Sequence, residues 1–150
     1  MKLKKILLFL LLIADTAFST QAFDKYTLDR EDLPLAAREF LDEYFPKAKI
    51  SMIKVDKHLL KKTDYDIKLV NGSKIEFNNS GKWTSVDCKT KEVPQKLLLK
   101  AIRNYIGKNF PQNFVTSIEK KASGYEIGLD DGTELKFNLL GGFKSKKTEE

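Results

Sequence analysis

Apolar and polar residues alternate through Tyr65, Ile67 and Leu69, and again through Ile75 and Phe77, on either side of Asn71-Gly72. A period of two is that of a strand with one buried face. The register across the turn follows from which residues must share that face. A two-residue turn at Asn71-Gly72 sets Leu69 opposite Lys74 and Ile67 opposite Glu76, which joins core positions to solvent positions. A three-residue loop, Val70-Asn71-Gly72 with a left-handed Gly72 in a bulge, sets Ile67 opposite Ile75 and Tyr65 opposite Phe77. The second loop is therefore expected. By the same reasoning a loop of Asn79-Ser80-Gly81 sets Phe77 opposite Trp83.

The pattern returns sixty residues later, with Tyr125, Ile127, Leu129, Gly132, Phe137, Asn138 and Gly141 matching Tyr65, Ile67, Leu69, Gly72, Phe77, Asn78 and Gly81. Phe143 stands for Trp83. Self-similarity at a fixed spacing points to repeated structural units. The four glycines read as backbone requirements of turns.

The flanking segments fit such units. Asp32-Leu33-Pro34 has the form of a helix start, with Asp32 as cap. Leu33, Ala37, Phe40, Leu41 and Tyr44 then share one helical face. Phe45-Pro46 ends the helix, because a residue before proline avoids helical angles. Ile50 to Val55 alternates as a strand, and Tyr26 and Leu28 suggest a short edge strand. Val93-Pro94 and Phe110-Pro111 frame a second, longer helix carrying Leu97, Leu98, Ala101, Ile102, Tyr105, Ile106 and Phe110. Val115 and Ile118 correspond to Ile50 and Ile53. The expected fold is α+β: two tandem repeats, each one helix followed by a four-stranded antiparallel sheet. The repeats are placed at 23–92 and 93–147, with a loose tail at the end. Whether the two sheets join is left open.

Lys2, Lys4 and Lys5 precede an apolar run from Ile6 to Ile13, the form of a secretory signal peptide over residues 1–22. The run is too short for the roughly 20 residues that cross a bilayer. Removing it takes three lysines and Asp15, and lowers the formal net charge from +6 to +4. The remaining basic excess is spread along the chain, whereas a nucleic-acid protein concentrates it. The single cysteine, Cys88, excludes an intramolecular disulfide. It reads as a small buried residue near a strand end, or as the site of an intermolecular disulfide.

Catalytic chemistry is poorly supplied. A hydrolase needs a nucleophile and a base, and the one histidine, His58, sits in the lysine-rich stretch 57–62. Asp64, Asp66, Asp130 and Asp131 lie near strand ends or turns. Asp131 before Gly132 is ordinary turn chemistry, and no metal or cofactor is assigned. The polar face of the first hairpin is more informative. The expected register sets Asp66 opposite Glu76 and Lys68 opposite Lys74, and like charges so placed are mildly destabilising. Diagonal Lys68–Glu76 contacts are expected to relieve this. Asp66, Lys68, Lys74 and Glu76 form either a solvated face or a partner surface. Leu59 and Leu60, flanked by lysines, either close over the first core or meet a partner.

Leu33-Pro34, Phe45-Pro46, Ile50, Tyr65, Ile67, Leu69, Gly72, Phe77, Asn78, Gly81 and Trp83 together resemble the PepSY-like domain family, which is described as similar to beta-lactamase inhibitory protein. Val93-Pro94, Phe110-Pro111, Tyr125, Phe137 and Gly141 extend the resemblance over nearly the whole chain after residue 22. The resemblance implies an exported, Bacteroidetes-type protein, periplasmic or secreted, with no enzymatic activity and no catalytic residue to carry over. The longer second helix and the basic connection after Val55 depart from the pattern. The expected function is non-catalytic binding of a protein or peptide partner, with inhibition as one form of it. The alternative is electrostatic binding of acidic cell-envelope polymers. Fold likeness does not transfer function. N-terminal sequencing of the exported protein is expected to read from Phe23, after cleavage at Ala22, or from Thr20, after cleavage at Ser19.

Overall fold

The computed structural model describes residues 24–57 and 63–148. Nine strands follow one another in chain order: β1 (Lys25–Thr27), β2 (Ile50–Asp56), β3 (Asp64–Leu69), β4 (Lys74–Phe77), β5 (Trp83–Asp87), β6 (Val115–Lys121), β7 (Gly124–Leu129), β8 (Thr133–Phe137) and β9 (Phe143–Thr148). They form one continuous antiparallel sheet in the same order, β1 through β9. Helix α1 (Leu35–Tyr44) lies between β1 and β2, and helix α2 (Lys100–Asn109) between β5 and β6.

This corrects the expected fold class. The described chain is mostly β, one nine-stranded sheet with two helices, and not two repeats of a helix with its own four-stranded sheet. The reason is the pairing of β5 with β6, where Ser85, Val86 and Asp87 face Glu119, Ile118 and Ser117. A sheet that ended at β5 would leave a row of unpaired N–H and C=O groups, which pairing with β6 satisfies. Lys120 in β6 also lies 3.5 Å from the ring centroid of Trp83 in β5. That cation–π contact adds to the seam.

The hairpin registers are those expected. Ile67 faces Ile75 and Tyr65 faces Phe77; Phe77 faces Trp83 across a bulge. Ile127 faces Leu135 and Tyr125 faces Phe137. Read across the whole sheet, the registers align one aliphatic row: Ile53, Ile67, Ile75, Val86, Ile118, Ile127 and Leu135. Each is at most 1 % exposed. Burying such a side chain contributes about 1.5–3 kcal/mol.

Both helices cover this face. Phe40 of α1 meets Phe77 edge-on at 5.3 Å and Trp83 at 6.0 Å. Tyr105 of α2 meets Phe137 edge-on at 5.4 Å and stacks on Phe143 at 4.6 Å. The turn glycines make this docking possible. Gly81 is left-handed (φ 78°), and a Cβ there would come within 2.8 Å of the Pro34 Cβ. Gly141 (φ 83°) bears the same relation to the Ala101 Cβ, at 2.9 Å.

Several local expectations are revised. The second helix is not longer than the first; α1 and α2 have ten residues each, because Gln95–Leu97 forms a separate 3-10 turn. Leu98 and Leu99 are extended and interrupt the helix between them. Asp32 does not cap α1, whose first turn follows Pro34. It lies in a 3-10 turn capped by Asp29 and pairs with Lys25 at 2.5 Å. Leu28 lies outside β1. Thr148, expected in the tail, belongs to β9. The signal segment, His58, Leu59, Leu60 and residues 149–150 lie outside the described residues.

Gly72 is also left-handed (φ 89°), but a Cβ there would meet nothing within 4 Å. Gly72→Ala is therefore expected to cost only the left-handed penalty, about 1–2 kcal/mol. Gly81→Ala adds a helix clash and is expected to cost about 3–4 kcal/mol. Urea denaturation of the two variants checks the difference.

Candidate functional site

Because side chains alternate across a strand, the row next to the aliphatic one points away from the helices. The same registers set Lys54, Asp66, Glu76, Ser85, Glu119, Glu126, Lys136 and Ser145 side by side, one from each strand β2 to β9. Four of the five central positions are carboxylates, with a lysine at either flank. The next row on this face holds Met52, Lys68, Lys74 and Asp87.

The flanking positions are neutralised. Lys54 reaches Asp56 at 3.0 Å and Asp24 at 3.1 Å. Hydrogen bonds to these carboxylates, Asp56 first, hold its ammonium well above the usual lysine range. Lys136 pairs with Glu126 at 2.9 Å, and that bond keeps the Glu126 carboxyl below its ordinary value. Lys121 bonds to Glu119.

Asp66 and Glu76 differ. They face each other directly across β3 and β4. Among the described residues, neither forms an ion pair, and the expected Lys68–Glu76 contact is not made. Burial pushes the Asp66 carboxyl up; Lys54 opposes this, and Asp56, Asp64 and Asp24 add to it. Burial also raises Glu76, reinforced by Asp66 and Glu119 and opposed by Lys121 and Lys74. The two carboxylates line a shallow groove of about 170 Å³ with Met52, Lys54, Lys68 and Lys74.

The structure thus brings together four residues singled out from sequence: Asp66, Lys68, Lys74 and Glu76. Sequence reasoning missed Lys54, Ser85, Glu119, Glu126 and Lys136. The sixty-residue spacing relates Asp66 to Glu126 and could have added that carboxylate. Glu119 joins the row only through the β5–β6 pairing. Asp130 and Asp131 serve the backbone: Asp130 accepts from the Phe114 N–H at 3.0 Å and Asp131 from the Thr133 N–H at 2.9 Å. Among the described residues, no group of three His, Cys, Asp or Glu side chains is placed to hold a metal ion. Cys88 is buried at 5 % exposure within the core, and burial pushes its thiol up.

Among the described residues, the antiparallel sheet is covered by helices on one face and bare on the other. The model of the family described as "Putative beta-lactamase-inhibitor-like, PepSY-like" matches residues 63–145, more than half of the chain. The chain belongs to this PepSY-like family. It is similar to the crystal structure of a "putative periplasmic protein of unknown function" from Bacteroides vulgatus, at 38 % identity and a TM-score of 0.79 over 83 % of this chain and 99 % of that one. A "putative calcium-regulated periplasmic protein" from Bacteroides thetaiotaomicron is similar at 32 % identity and a TM-score of 0.78, over 83 % of this chain and 97 % of that one. No curated protein matches the chain.

The raised carboxyls predict a pH dependence. The folded state holds protons at Asp66 and Glu76 more tightly than the unfolded chain does, so stability falls as pH rises through their folded values. Asp66→Asn and Glu76→Gln are each expected to stabilise the protein at neutral pH by about 0.5 kcal/mol, the scale of one exposed like-charge pair. The gain should vanish near about pH 3, where both carboxyls are protonated in either state. Urea titrations at the two pH values measure it; a pH-independent gain would exclude the charge account.

Proposed function

We infer that this protein is a non-catalytic periplasmic binding module whose bare sheet face takes a protein or peptide partner presenting cationic side chains. One observation carries the reading. The uncovered face sets Asp66 against Glu76 at its centre, an opposition that the fold does not need and that a lysine or arginine from a partner relieves. Size supports it as well. Eight strand spacings of about 4.8 Å make the sheet roughly 38 Å wide. With strands about 20 Å long, that approaches the roughly 800 Å² per partner of a standard interface.

The periplasmic setting rests on the similar Bacteroides proteins, which are described as periplasmic. Inhibition of a target enzyme is one form this binding could take, and the family's description favours it. Leu59 and Leu60, between β2 and β3, are assigned as a second contact beside Asp66, Lys68, Lys74 and Glu76. Binding of acidic envelope polymers is the competing reading, and the carboxylate row disfavours it.

Affinity capture from the native periplasm at low and high salt tests the proposal. The parent and a Glu76→Lys/Glu119→Lys variant are compared. A basic protein retained at both salts by the parent and lost by the variant supports the reading. Equal retention by the variant removes the bare face as the contact. Envelope polymer recovered only at low salt overturns the reading in favour of the electrostatic one. A Leu59→Ala/Leu60→Ala variant that binds as tightly as the parent removes the leucines from the contact.

A further inference from the structure

The sheet's two edges are unlike. β1 offers three residues, Lys25–Thr27, whereas β9 offers six, Phe143–Thr148, all exposed. Strand order ends at β9, so among the described residues nothing pairs with its outer backbone. An exposed edge of this length is a template for another strand. Its side chains decide which strand can use it.

Phe143–Thr148 carries Lys144, Lys146 and Lys147 and no acidic residue. A second copy pairing antiparallel through this edge is disfavoured in each central register. Centred on Ser145, it sets Lys144 opposite Lys146. One half-step on, it sets Lys144 opposite Lys147. Centred on Lys146, it sets that lysine opposite itself. Like charges directly opposite destabilise a strand pair. The same lysines favour a strand with carboxylates at alternating positions. Among the described residues, no ion pair engages Lys144 or Lys147, and Lys146 is 5.3 Å from the Phe110 ring centroid. Beside the start of β9, Leu140 is 87 % exposed, Leu139 59 % and Phe143 42 %. This apolar corner is placed to receive a hydrophobic residue at one end of the incoming strand.

We propose that the outer edge of β9 is a strand-addition site for an extended acidic segment of a partner protein, ending in an apolar residue at the Leu139–Leu140 corner. Backbone hydrogen bonds give the pairing, and Lys144 and Lys146, on one side of the strand, meet the alternating carboxylates, with Lys147 adding positive charge on the other side. The edge calls for an acidic strand and the bare face, whose row ends at Ser145 in β9, for a cationic partner, so either can fail without the other.

The probe is a fluorescein-labelled peptide of alternating Glu and Val, and it is tested against the exported protein by fluorescence anisotropy and amide hydrogen exchange. Saturable binding with slowed exchange confined to β9 is expected. Neutralising the edge with Lys144→Gln/Lys146→Gln/Lys147→Gln is expected to weaken binding about tenfold. The corresponding Lys→Glu triple variant should instead accept a Lys/Val peptide that the parent refuses. A Glu/Val peptide with N-methylated backbone amides keeps the charge but cannot add as a strand, and is expected not to bind. Equal binding of that peptide, unchanged exchange at β9, or no saturable binding of the parent peptide would overturn the proposal.

Discussion

The fold depends on one row of side chains. Seven aliphatic residues, from Ile53 in β2 to Leu135 in β8, stand shoulder to shoulder across seven consecutive strands, almost fully buried. Each strand contributes a single member at this level, so no strand can slip by one residue without exposing its aliphatic and burying a charge. The row fixes the register of all seven strands together. It also fixes the opposite face, because alternation turns the neighbouring residues toward solvent. The carboxylates at 66, 76, 119 and 126 line up because the aliphatics beside them do.

The two helices add depth on the buried side. Phe40 and Tyr105 each sit on an aromatic pair from adjacent strands, Phe77 with Trp83 and Phe137 with Phe143. Gly81 and Gly141 let the helix starts approach the strand turns at distances that no other residue permits. With both helices packed on one side, the far side keeps its charges, and burial raises Asp66 and Glu76 there. The edges follow the same economy: a short β1 at one end and a lysine-bearing β9 at the other. A face with carboxylates at its centre and an edge without any are two surfaces of opposite sign on one sheet.

Part of the candidate site was legible in the sequence. Asp66 opposite Glu76 and Lys68 opposite Lys74 follow from the alternation on either side of Asn71-Gly72 and from the loop that keeps Ile67 opposite Ile75. Gly72, Gly81, Gly132 and Gly141 all adopt the positive φ that their turns require. The relief of Asp66 and Glu76 was misjudged. Lys68 is nearest in register logic, yet the lysines felt by the two carboxylates include Lys54 from β2 and Lys121 from β6. The second helix was misjudged as well. Its apolar positions run from Leu97 to Phe110 without a break in pattern, but Leu98 and Leu99 are extended, and the helix starts only at Lys100.

The sequence by itself determined the strands, the hairpin turns and their registers, and the helical faces that carry Phe40 and Tyr105. These are local matters, settled by period and by turn geometry within a few residues. Only the tertiary structure decided that β5 and β6 pair across residues 88–114, that a single sheet results, and that among the described residues one uninterrupted face remains bare. The pairing of distant strands depends on where the intervening helix packs and on satisfying a whole edge of backbone groups. No run of neighbouring residues encodes that balance.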